Sequence, residues 1–146
     1  WQLLAQHQVA PRIGGLDVTA DGSQVLVALP DENQVGFYRS DTFARVGEVP
    51  VGQGASTVKV SPDGGRALVV NAMSNDVSIF DPAHPAGRYR IGVGVGPRGV
   101  AFSADGGWAY VANYNTNDLS VLNLEAGAQL GRLAVGRGPR GVAWGP

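Results

Sequence analysis

Hydrophobic residues along this chain fall in short runs, each cut off by a polar or glycine-rich stretch before a helix turn could repeat itself three times. Residues Gly99 to Ser103 are apolar at alternate or consecutive positions and close on Ala104-Asp105-Gly106-Gly107, a turn in which glycine supplies the positive φ. Trp108 to Ala112 follows, then a polar loop from Asn113 to Asp118, then Leu119 to Leu122, where Ser120 alternates with apolar neighbours. A fourth run, Leu130 to Val135, leads into Gly136-Arg137-Gly138-Pro139-Arg140. Runs this short, with no sustained 3.6-residue period, predict an all-β chain.

The pattern repeats every 42 residues: Asp21-Gly22, Asp63-Gly64 and Asp105-Gly106 stand at that spacing, as do Leu16, Val58, Val100 and Val142. Residues 58 to 99 match 100 to 141 at 19 of 42 positions, whereas 16 to 57 match 58 to 99 at 11, so the first copy has drifted. Four antiparallel strands per repeat of about 40 residues is the signature of a β-propeller blade, whose faces are buried against neighbouring blades. The phase predicts an outer strand at 3 to 9, blades at about 16–51, 57–93 and 99–135, and an inner strand at 141–144. That is about three and a half blades, an arc with unpaired edges, which natural sheets avoid. The expectation is one part of a larger propeller, seven-bladed or completed by oligomerisation.

Composition narrows the function classes. With 22 glycines, 9 prolines and 44% hydrophobic residues the chain suits many strands and tight turns, and 146 residues suffice for a real core. Charged residues are 16% and the net charge is −1, so the chain lacks the basic footprint of a nucleic-acid or anionic-membrane partner. No cysteine is present, which excludes thiolate metal sites, disulfides and a cysteine nucleophile within it. No apolar run is long enough to span a bilayer, and residues 1 to 10 do not read as a signal peptide.

Gly94-Val95-Gly96-Pro97-Arg98-Gly99 and Gly136-Arg137-Gly138-Pro139-Arg140-Gly141 both satisfy G-x-G-x-x-G, but a strand follows each where dinucleotide binding requires a helix N-terminus. They read as inter-blade turns. His7 and His84 are too few and too peripheral for a metal site, and no cofactor is expected. Neither a P-loop nor a Gly-x-Ser-x-Gly elbow occurs. Trp1, Trp108 and Trp144 read as packing residues.

In propeller topology the loops between the second and third strands of each blade and the inter-blade connections share one rim, here called the top. That rim collects Arg98, Arg140, Asn71, Asn113, Tyr114, Asn115 and Asn117. Two arginines at the channel mouth suit a carboxylate or phosphate; their architectural alternative is to tie blades together, since a residue repeating with the fold usually serves it. For Asn71, Asn113, Asn75-Asp76 and Asn117-Asp118 turn chemistry is the plainer reading. Asp63 and Asp105 fall in the opposite, bottom turns and make a poor acid/base pair.

The stretch "WAYVANYNTNDLSVLNLEAGAQLGRLAVGRGPRGVAW" resembles the YVTN family of β-propeller repeats, with Tyr110-Val111-Ala112-Asn113 in place of the name-giving tetrad. The likeness is strong from 57 to 146 and weaker from 1 to 56, where Leu29 stands in place of Asn71 and Asn113, and Gly14-Gly15 in place of Arg-Gly. It implies an extracytoplasmic setting in a bacterium or archaeon (periplasm, cell surface or secreted) and a non-catalytic module that binds or scaffolds a partner through its top face. The partner is then a protein, or further blades from the same chain or another subunit, with no membrane insertion. The alternative it implies is part of a propeller enzyme, lactonase-like or holding a redox cofactor, with catalytic residues outside this segment.

Overall fold

A computed structural model describes residues 9–145. Twelve strands form three four-stranded antiparallel sheets, each in simple sequential order, with no helix among the described residues. The first blade is β1 (Leu16–Val18), β2 (Gln24–Leu29), β3 (Gln34–Arg39) and β4 (Arg45–Pro50). The second is β5 (Ala55–Val60), β6 (Ala67–Asn71), β7 (Asp76–Asp81) and β8 (His84–Gly92), and the third β9 (Pro97–Phe102), β10 (Trp108–Asn113), β11 (Asp118–Asn123) and β12 (Ala128–Ala134). The chain is thus an all-β stack of propeller blades.

Two inner strands begin about two residues earlier than the apolar pattern suggests. Bulges next to the Asn71 and Asn113 ends let Ala55 pair with Asn71 and Pro97 with Asn113 before the regular ladder starts. The expected outer strand at 3 to 9, with Trp1 and His7, lies outside the described residues except for Val9, which packs with Ala10 against Val27, Leu29 and Tyr38. Residues 141–144, expected as an inner strand, are not a strand: a four-residue segment needs a ladder partner, and none lies within the described residues. The segment still rests on blade three, where the Trp144 ring stacks on Tyr110 with centroids 5.5 Å apart.

The core consists of the two inter-blade layers. Leu26, Ala28, Val35, Phe37 and Val49 of blade one meet Ala55, Val58, Ala67, Val69 and Phe80 of blade two. Leu68, Val70, Val77, Ile79 and Ile91 then meet Val100, Phe102, Ala109, Val111 and Leu122 of blade three. Each strand thereby serves two layers, with successive residues facing opposite neighbours.

The bottom turns are held by carboxylates. Asp21 accepts a hydrogen bond from the Thr19 hydroxyl at 2.6 Å, and Asp63 one from Ser61 at 2.5 Å. These hydroxyl bonds, followed by backbone N–H donors, pull Asp21 down to about 2 and hold Asp63 and Asp105 below the ordinary carboxylate range. A depressed folded value means that the stabilisation is complete above the unfolded value near 4 and is lost as pH falls through the folded one. Acid titration followed by circular dichroism is therefore expected to show turn loosening between about pH 4 and pH 2, reduced in Asp63→Asn. A profile identical in the variant would remove these turns from the account.

Candidate functional site

The top rim is built by an asparagine clasp that recurs three times. Asn33, Asn75 and Asn117 each adopt positive φ (54°, 54° and 57°), a conformation asparagine tolerates better than most residues. Their side-chain oxygens accept the backbone N–H of Gly54, Gly96 and Gly138 at 2.8, 2.9 and 2.8 Å. Each loop thus grips the connection that follows its own blade, which for Asn33 and Asn75 opens the next one. Loss of one such bond together with the special backbone preference is expected to make Asn75→Ala about 1–2 kcal/mol less stable in urea denaturation; an unchanged midpoint would show the clasp to be passive.

Beneath the clasp lies a second, buried network. Asn71 donates to Asp76 Oδ1 at 2.7 Å and to Ser78 Oγ at 2.9 Å, and Arg90 closes on Asp76 at 2.6 Å. Blade three repeats it, with Asn113 donating to Asp118 and Ser120 at 2.6 and 2.9 Å and Arg132 standing 3.6 Å from Asp118. The serine hydroxyls in turn accept the N–H of Gly52 and Gly94. Asn71 and Asn113 are fully buried, so these two candidate site residues shape the rim from below and do not reach its surface.

Arg98, Tyr114, Asn115 and Arg140 do come together on that surface. The guanidinium carbons of Arg98 and Arg140 stand 5.5 and 5.2 Å from the centre of the Tyr114 ring, within cation–π range. The ring lies over Gly138, where an added Cβ would come within 2.9 Å of it. Arg98 is anchored through its carbonyl, which accepts the Thr57 hydroxyl at 3.0 Å. Gly99 approaches the Arg140–Gly141 backbone so closely that a Cβ would sit 2.8 Å from the Arg140 carbonyl oxygen. In the G-x-G-x-x-G turn of 94 to 99, then, Gly96 serves a positive φ of 66° while Gly94 and Gly99 serve close approach, and a strand follows.

Two hollows flank this cluster. One, of about 390 Å³, is lined by Ser56, Thr57, Arg98, Tyr114 and Arg140; the other, of about 420 Å³, by Tyr114, Asn115, Asn117, Arg137, Gly138 and Arg140. Among the described residues none of the three rim arginines forms an ion pair, and neither do Arg66 and Arg88, whereas Arg12, Arg39, Arg45, Arg90 and Arg132 all do. Arg137, Ser56 and Thr57 escape the reading of the sequence. The available signal is a break in the repeat: Tyr114 stands where Pro30 and Ala72 stand in the earlier copies. His84 opens β8, and its Nδ1 lies 3.0 Å from Asp81, whose pKa it lowers.

No protein-family model and no curated protein sequence matches the chain. Solved structures match it over nearly its whole length. Hydrazine synthase of Kuenenia stuttgartiensis superposes with a TM-score of 0.85 at 27% identity, covering 97% of this chain and 42% of that one. A functionally unknown protein of Desulfotomaculum acetoxidans DSM 771 gives 0.80 at 20% identity, covering 96% and 48%. The β-propeller domain of Myceliophteria thermophila Cps50 (Swd1) gives 0.75 at 16% identity, covering 90% and 46%. The chain therefore has the β-propeller fold and spans less than half the length of each of these structures.

Proposed function

We propose that the chain is a YVTN-type, non-catalytic propeller module of an extracytoplasmic protein, which binds or scaffolds a protein partner through its top rim and is completed into a ring by further blades. The observation that carries this reading is the meeting of the Arg98 and Arg140 guanidiniums on the Tyr114 ring, with Arg137 in the adjoining hollow and no ion pair to any of the three among the described residues. The ionisable groups favour binding over acid/base catalysis. The carboxylates with clearly moved pKa values, Asp21, Asp41, Asp63 and Asp105 in turns and Asp81 at the end of β7, are pushed down by their local partners. A general acid working near neutrality needs the opposite shift.

A second reading has one specific support. The 27% identity with hydrazine synthase favours a propeller portion of a larger enzyme, with the reacting groups supplied elsewhere. Both readings are tested by placing a photocrosslinking amino acid at Asn115 on the top rim or at Asp105 on the bottom, in the protein expressed in its own host. A discrete adduct with a second polypeptide from position 115 and none from 105 is the expected result. Adducts from 105 alone would overturn the top-rim reading.

A further inference from the structure

We infer that the rim around Tyr114 is a receptor for an acidic peptide segment, with Arg98 and Arg140 taking its carboxylates, Tyr114 positioning the two guanidiniums and Arg137 adding a third cation. This rests on the top-rim binding reading and specifies the chemistry of the partner.

Two guanidiniums drawn to a single ring repel each other, and among the described residues no carboxylate lies against either one. Arginines that brace the blades have partners in place: Arg90 has Asp76, Arg132 has Asp118, and Arg66 donates to the Gly106 carbonyl, whereas among the described residues the Arg98 and Arg140 guanidiniums have neither kind of partner. A bound carboxylate removes the repulsion and gains charge-assisted hydrogen bonds from planar donors already held in position. The ring reduces the freedom of both side chains before the ligand arrives, which lowers the entropic cost of binding.

The repeat supplies an internal control. The positions equivalent to Arg98 carry Gly14 and Ser56, and those equivalent to Tyr114 carry Pro30 and Ala72, yet both earlier blades pack as well as the third. Blade packing therefore does not require this cluster.

Shape selects a peptide over a small molecule. Sites for small ligands are enclosed and mostly apolar. Here two adjoining hollows share the Tyr114–Arg140 wall and are lined by exposed and half-buried polar groups, a track on which an extended chain can set successive side chains. Nucleic acid is disfavoured because most of the chain's 11 Lys and Arg lie outside this cluster and form no continuous basic stripe with it. The chain as a whole has a pI near 6.1, and the bottom turns carry Asp21, Asp63 and Asp105.

The test uses the protein purified intact from its host and three fluorescent hexapeptides: all glutamate, all glutamine, and phosphoserine alternating with glycine. Fluorescence anisotropy is expected to show binding of the glutamate peptide, little of the glutamine peptide, and a several-fold loss of affinity between about 50 and about 200 mM salt. The double variant Arg98→Gln/Arg140→Gln should weaken glutamate binding at least tenfold, Tyr114→Leu by a smaller factor, and Arg88→Gln not at all, with circular dichroism unchanged in each. Equal binding of glutamate and glutamine peptides, or a double variant within twofold of the parent, overturns the proposal. Binding of the phosphoserine peptide without the glutamate peptide overturns the carboxylate assignment in favour of phosphate. If glutamate fails while the crosslink from position 115 persists, only the acidic assignment falls; if both fail, the top-rim reading falls with it.

Discussion

Leu133→Asp is expected to disassemble or unfold the protein isolated from its host, while Leu130→Asp leaves it essentially unchanged. The two leucines look alike in this chain, 60% and 59% exposed. Their repeat equivalents do not. Leu133 corresponds to Ile91 and Val49, which are 5% and 2% exposed because the following blade covers them. Leu130 corresponds to Arg88 and Val46, which remain exposed even where a following blade is present. Val135 repeats the contrast: it is 36% exposed, against 7% for Val93. Blade three therefore presents a face made to be covered, and Trp144, placed where Phe102 packs one repeat earlier, already covers part of it by stacking on Tyr110. A carboxylate buried there without a partner costs on the order of 3 kcal/mol or more, against about 0.5 kcal/mol at an exposed strand position. Chemical denaturation and light scattering on both variants measure the difference. Equal behaviour would mean that this face stays in water and that no further blade packs on it.

Gly94→Ala is the second substitution with a large expected effect, about 3 kcal/mol destabilising. Its Cβ would fall 2.5 Å from Asn113 Cγ and from the Thr116 hydroxyl oxygen, inside the buried network. The first blade indicates the remedy. Where blades two and three pair Gly52 with Asn71 and Gly94 with Asn113, blade one pairs Ala10 with Leu29, and Gly36 replaces the serine. A side chain at the first position and an amide at the second exclude each other, and the chain contains both solutions. Asn113→Leu alone should cost about 2 kcal/mol through lost hydrogen bonds. It also removes an amide oxygen that is buried without a donor among the described residues. Combined with Gly94→Ala it should restore roughly half of the lost stability, a coupling of more than about 1 kcal/mol between the two sites. Strict additivity in a double-mutant cycle would show that the contact is relieved elsewhere.

The rim shows how far residue types carry an argument about function. Asn75 and Asn117 read from the sequence as turn formers, and their positive φ agrees. That their side chains also hold the connection after their own blade, through Gly96 and Gly138, is a contact between residues 21 positions apart that no local turn rule contains. Asn71 and Asn113, candidates for a ligand, prove to be buried braces. Tyr114, one member of a polar loop in the sequence, becomes the surface on which two cations meet.

The fold and the four strands of each blade follow from a 42-residue period, because blade structure is set by alternation and turn chemistry within a few residues of each position. The same period made Arg98 and Arg140 equivalent. Only the tertiary structure distinguishes them from a merely repeated feature, because the turn from one blade to the next brings residues 42 apart onto a single ring. Exposure is decided at that level too. Leu133 and Ile91 occupy one position in the pattern, and what separates them is whether another blade lies across the strand, a property of the neighbouring sheet and not of the residue.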